Sequence, residues 1–166
     1  MTRGGHYATA LALALAGAAL LPHGLVPHGL AFALGAAAGA DAPDYLELPQ
    51  FDALGRRRSL IAHRSWTHYW PFWATLAAFA VISMPWAAGS ALVAFGYALA
   101  GLLHLSMDIL TPMGIPLRWP PVGRRTSLRV YKTGSLREVA IIGLVWGAAA
   151  VLVLVASAVM WLFAWL

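Results

Sequence analysis

The chain has 166 residues, of which 61% are hydrophobic and only 10% charged, with a formal net charge of +5 and no cysteine. A soluble domain of this size carries roughly 25% charged residues, so an ordinary aqueous surface is excluded and lipid is the solvent that suits this composition. The lack of thiols excludes disulfides and thiolate metal sites. The basic excess sits at Arg56-Arg57-Arg58 with Arg64, and again from Arg118 to Arg137; it reads as loops against anionic headgroups rather than as a nucleic-acid footprint.

The first apolar run covers about 6–21, after Met1-Thr2-Arg3. It has the look of a signal peptide with a cleavage site near Ala36-Ala38, but the apolar runs that follow, and a place for His6 in the site below, argue for a retained helix. The run is broken by Pro22-His23-Gly24-Leu25-Val26-Pro27-His28-Gly29-Leu30, a near-duplicated turn, and resumes over about 30–40. At ~1.5 Å per residue these two runs reach about 16–24 Å each, short for a full crossing. They are expected as a helical hairpin, tilted or partly embedded.

A polar linker with Pro43, Pro49 and the arginine triplet occupies about 41–64, and no charged residue occurs between positions 69 and 103. Pro85-Trp86-Ala87-Ala88-Gly89-Ser90 supplies turn residues in the middle of that stretch, which predicts two membrane helices, over about 65–84 and 89–110. A second basic, proline-rich linker follows over about 111–137, with a last helix from about 136 to 166. Trp66, Trp70 and Trp73 at one helix start, and Trp161 and Trp165 near the end, mark headgroup zones. The expected fold is a single all-α polytopic membrane bundle of about five helices over 1–166. Two hairpins place the N-terminus and both basic linkers on one side, which predicts a multi-pass inner-membrane protein with a cytoplasmic N-terminus.

That same side collects polar residues. His6 opens helix one, Asp41 and Asp44 follow helix two, His63 and His68 precede or open helix three, His104 and Asp108 close helix four, and Glu138 opens helix five. His104 and Asp108 are i, i+4 and share a helix face. His63 and His68 lie about 140° apart on an ideal helix and converge only if His63 precedes it. An ionisable residue at membrane depth is a functional hypothesis by default, and histidine with carboxylate suits zinc, with manganese or iron also admissible. Plainer readings stand beside this one. His23 and His28, in the opposite turn, read as amphipathic interfacial residues. His104 and Asp108 make an ordinary intrahelical hydrogen-bonding pair, and Asp41 a loop residue. Ser135-Leu136-Arg137-Glu138 reads as a capping box. Convergence of the whole set is what favours a metal.

The residues also resemble a family. Early His6, Gly39-Ala40-Asp41-Ala42-Pro43-Asp44, His63-Arg64-Ser65-Trp66-Thr67-His68, and His104-Leu105-Ser106-Met107-Asp108 running on to Thr111-Pro112-Met113-Gly114-Ile115-Pro116 are similar to the membrane-bound metal-dependent hydrolases of the YdjM-like group. The likeness runs to about Pro121, and in this sequence Leu46 replaces the second aspartate of the family's Pro-Asp-x-Asp step, with Asp41 or Glu47 as substitutes or fewer ions as the consequence. A distant similarity to zinc phospholipase C and P1 nuclease proteins implies phosphoester hydrolysis. The expected ligands are His6, Asp44, His63, His68, His104 and Asp108, with Asp108 and Arg64 at the catalytic centre. Arg64, Arg118, Arg124 and Arg125 are expected to hold an anionic phosphate-bearing substrate beside membrane lipid, with lipid anchoring as their alternative role. The rival class is a non-enzymatic scaffold or an ion- or proton-handling protein with a structural metal site.

Overall fold

The computed structural model describes residues 1–21 and 26–163. Helix α1, Arg3–Ala19, starts where the Thr2 hydroxyl accepts the Gly5 N–H, satisfying one of the otherwise orphaned amide donors of a helix start. Helix α2, Val26–Gly39, returns beside it, and the short α3, Ala42–Tyr45, opens on Pro43 just past the α2 end. The first linker then forms a small hairpin that the sequence pattern did not suggest: β1, Pro49–Phe51, pairs antiparallel with β2, Arg57–Ser59, with Pro49 opposite Ser59. Asp52 makes its turn by accepting the Leu54 and Arg56 backbone N–H groups at 3.0 and 2.9 Å. A 3-10 turn over Trp66–His68 leads into α4, Trp70–Ile109, and the second linker leads into α5, Leu136–Phe163.

Helix α4 is a folded-back pair of arms. Ala87, two residues after Pro85, leaves helical geometry at φ −150° and ψ 57°. Trp73 and Tyr97 bring their ring centroids within 5.5 Å, and the Trp73 ring lies against Gly101. In a straight helix positions 73 and 101 would stand about 42 Å apart, so the chain reverses at Ala87. Proline removes an interior hydrogen bond and clashes with the preceding turn, and the Gly89 that follows eases the reversal. The expected division into two helices is therefore present, although the first arm starts at Trp70 rather than near 65, because the preceding residues are held in the 3-10 turn.

The second arm packs backbone to backbone against α2. A Cβ on Gly35 would stand 2.0 Å from the Val93 carbonyl oxygen, and one on Gly96 would stand 2.2 Å from that of Phe32. Small residues permit such approach in lipid, where dispersion and not hydrophobic exclusion holds helices together. On its other flank α1 packs Ala12 and Ala16 against Ala149 of α5. Much of α5 faces outward, with Leu144 and Leu154 about 70% exposed. Helices α4 and Leu136–Leu162 are long and apolar enough to cross a membrane. The architecture is an all-α membrane bundle. The expected positions of Pro22, His23, Trp165 and the end of the last helix at Leu166 fall outside the described residues.

Candidate metal centre

The ends of these elements bring distant residues to one point. His6 lies in the first turns of α1, while His104 and Asp108 occupy the last two turns of α4. Asp44 rides on α3, His63 sits in the loop after β2, and His68 closes the 3-10 turn. His63 thus precedes the helix, which is the one arrangement that lets it meet His68. All six expected ligands gather here.

Asp108 is the hub. Its Oδ1 lies 3.5 Å from His6 Nε2, and its Oδ2 lies 3.5 Å from Nε2 of both His68 and His104. Asp44 Oδ1 lies 3.4 Å from His68 Nε2 and 3.6 Å from His63 Nδ1, and its Oδ2 is 4.0 Å from His104 Nε2. The His6 and His104 rings stack with centroids 3.6 Å apart. The Met1 nitrogen reaches Asp108 Oδ1 at 3.0 Å. His6, His68, His104 and Asp108 are buried, whereas His63 keeps 39% of its side chain exposed.

The ring tautomers follow from the hydrogen bonds. His104 Nδ1 lies 2.9 Å from the Ala40 carbonyl, an acceptor only, so Nδ1 donates and Nε2 is left to face the carboxylates. Such an orienting contact on the far nitrogen is how ligating histidines are held. His68 Nδ1 is engaged by Thr67 Oγ1 at 3.1 Å. Nε2 of both His68 and His104 is buried without a hydrogen-bond partner, a costly state for a polar atom unless a cation takes the lone pair. Three carboxylates, those of Asp44, Glu47 and Asp108, outnumber the two cations that reach them, the Arg64 guanidinium and the Met1 ammonium group.

Three overlapping groups have the spacing to hold metal: His6, His104 and Asp108; Asp44, His68 and His104; and Asp44, Glu47 and His63. With Nδ1 committed to Ala40, His104 can serve a single ion, so the first two groups together describe at most one ion. Asp44 can bridge to the third, because a carboxylate has two oxygens to offer.

Burial alone would raise the Asp44 carboxyl, but contact with His68 and the nearby charges of His104, His68 and His63 prevail and hold it well below the usual carboxylate range. Burial likewise would lower His68, yet its contacts with Asp108 and Asp44 prevail and raise it.

Several residues take roles that the sequence pattern did not assign. Arg64, half of the expected catalytic pair, is turned inward with a left-handed backbone of φ 54° and only 7% exposure. Its guanidinium contacts Asp108 Oδ1 at 2.5 Å, Thr111 Oγ1 at 3.0 Å and the Gly114 carbonyl at 3.1 Å, which ties it to one of the expected ligands. Gly114, at φ 64°, fits because a Cβ there would stand 2.1 Å from the Thr126 carbonyl. Glu47 is fully buried, accepts the Arg64 N–H at 2.9 Å and lies 2.9 Å from His63 Nδ1. Asp41, the other expected substitute for the aspartate that Leu46 replaces, pairs with Arg3 at 2.8 Å. The capping box at Ser135 does not form: Glu138 accepts the N–H groups of Thr2 and Gly134, both at 2.8 Å, and the Thr2 hydroxyl. Arg125 touches the cluster's loop through the His63 carbonyl, whereas Arg118 and Arg124 line a different cavity. His28 lies in the first turns of α2, at the end opposite α3.

A cavity of about 750 Å³ opens onto the cluster, lined by Asp44, His63 and Arg64 with Arg3, Tyr45 and Phe51 toward its rim. The sequence model of the YdjM inner membrane protein family matches residues 1–166. No curated protein and no solved structure matches the chain.

Proposed function

The chain belongs to the YdjM inner membrane protein family, and from that premise we propose that it is a metal-dependent hydrolase acting on a phosphoester or related ester at the cytoplasmic membrane interface. The observation that carries this reading is the cavity onto the cluster. Four buried groups can hold an ion from within, and the half-exposed His63 and Asp44 lie where the cavity meets it. A catalytic site keeps one position open to water and substrate, whereas a structural site is closed. A bound divalent ion, zinc by the preference of a histidine and carboxylate set, supplies an acidified water and polarises the scissile ester.

The chain's own residues do the rest. Arg64 and the Ala40 carbonyl fix Asp108 and His104 before anything binds, which lowers the cost of reaching the reactive geometry. Arg3, exposed at the rim, attracts an anionic substrate. The basic linkers at this face support a cytoplasmic orientation. Transport along the bundle has less support, because the cleft between α1 and α2 is lined by apolar residues such as Leu11, Leu15, Leu30 and Leu34, and among the described residues no polar path through it leads toward His28.

The test is turnover by the full chain in nanodiscs, screened on phospholipids, nucleotides and generic phosphoesters before and after chelation. Hydrolysis that chelator removes and zinc, manganese or iron restores is the expected result. A folded, metal-replete protein with no chelator-sensitive turnover on any of these classes would overturn the enzymatic reading.

A further inference from the structure

The proposed chemistry leaves a second cavity unused. It measures about 570 Å³, and its lining includes Arg118, Arg124, Arg125, Trp119 and Ser127. No carboxylate lines it, and the six carboxylates of the chain are engaged elsewhere. Asp41 pairs with Arg3, Asp52 with Arg56, and Asp108 with Arg64. Asp44 and Glu47 lie against histidines, and Glu138 binds Thr2. Among the described residues, then, no acid neutralises Arg118 or Arg124.

The depth of the cavity is fixed by its aromatic rim. The Trp119 ring packs edge-on to Trp66 with centroids 5.0 Å apart and lies 5.9 Å from Tyr69. Trp66, Trp70, Phe72 and Trp119 are all substantially exposed, and they cluster where α4 enters its apolar stretch. Tryptophan and tyrosine in that position mark the headgroup level of a bilayer. Guanidinium groups match phosphate oxygens with paired N–H donors.

We propose that this cavity binds the headgroup of an anionic phospholipid, with Arg118 and Arg124 on the phosphate and Trp119 against the glycerol and upper chain. Arg125 lines this cavity and donates to the His63 carbonyl. The site needs no metal and stands apart from the hydrolase reading.

The experiment is native mass spectrometry of the detergent-solubilised full chain, titrated with equimolar phosphatidylglycerol and phosphatidylcholine. Phosphatidylglycerol is expected to be retained preferentially. Arg118→Gln with Arg124→Gln should weaken that retention by about fivefold per arginine, the effect of one basic residue near an anionic surface, with metal content unchanged. A control with the same charge change outside the cavity, Lys132→Gln with Arg137→Gln, should weaken it clearly less. Equal retention of the two lipids, equal loss in both double variants, or displacement of the lipid by excess inorganic phosphate would overturn the proposal.

Discussion

Asp108→Asn is expected to lower metal affinity by at least about 100-fold and to abolish chelator-sensitive turnover while the bundle stays folded. Residues that merely orient a ligand cost roughly 10–100-fold in affinity when changed, and Asp108 faces three imidazoles and a guanidinium at once. Asparagine keeps the shape but removes the charge that offsets a cation, and its amide nitrogen repels one. The fold should survive because α2 and the second arm of α4 meet through Gly35 and Gly96, away from this carboxylate. Chelator competition gives the affinity, and circular dichroism checks the helices. Wild-type affinity in a folded Asp108→Asn protein would remove Asp108 from the centre.

Arg64→Leu is expected to destabilise the metal-free protein by about 3–5 kcal/mol, the usual cost of stripping one partner from a buried ion pair, and the zinc-loaded protein by clearly less. The guanidinium satisfies Asp108, Thr111 and Gly114 together, and its loss leaves a buried carboxylate facing an apolar side chain. A bound cation restores part of that compensation, so binding and stability become strongly linked in the variant. Arg64→Lys keeps the charge but not the planar fork and should fall between the two. Thermal unfolding of each protein with and without zinc measures the difference. Equal destabilisation in both metal states would make Arg64 a packing residue with no bearing on the centre.

How far the sequence could be read depends on the range of each interaction. His104 and Asp108 were legible because one helix turn joins them, and the reversal at Ala87 was legible because Pro85 and Gly89 act locally. The role of Arg64 was not, since its partners Thr111 and Gly114 lie 47 and 50 positions away. In the sequence Glu47 stands out only as a substitute for the aspartate that Leu46 displaces. What turns its side chain inward is the end of α3 at Tyr45 and a left-handed Leu48 at φ 53°. The capping-box pattern at Ser135 misled for a related reason: Thr2, 136 positions away, claims the Glu138 carboxylate. The Asp52 turn carried a local signal, an aspartate two residues before Leu54 and four before Arg56, masked by reading the arginine triplet only as a charged linker.

The most direct measurement is the metal content of the full chain, purified from membranes without chelator and quantified per mole of protein by plasma mass spectrometry. The geometry predicts about one zinc per chain, or about two with Asp44 bridging, and a fall to background in His68→Ala with His104→Ala, while His28→Ala matches the wild type. A wild-type protein that stays metal-free after incubation with zinc, or a double variant that retains the wild-type content, would contradict it.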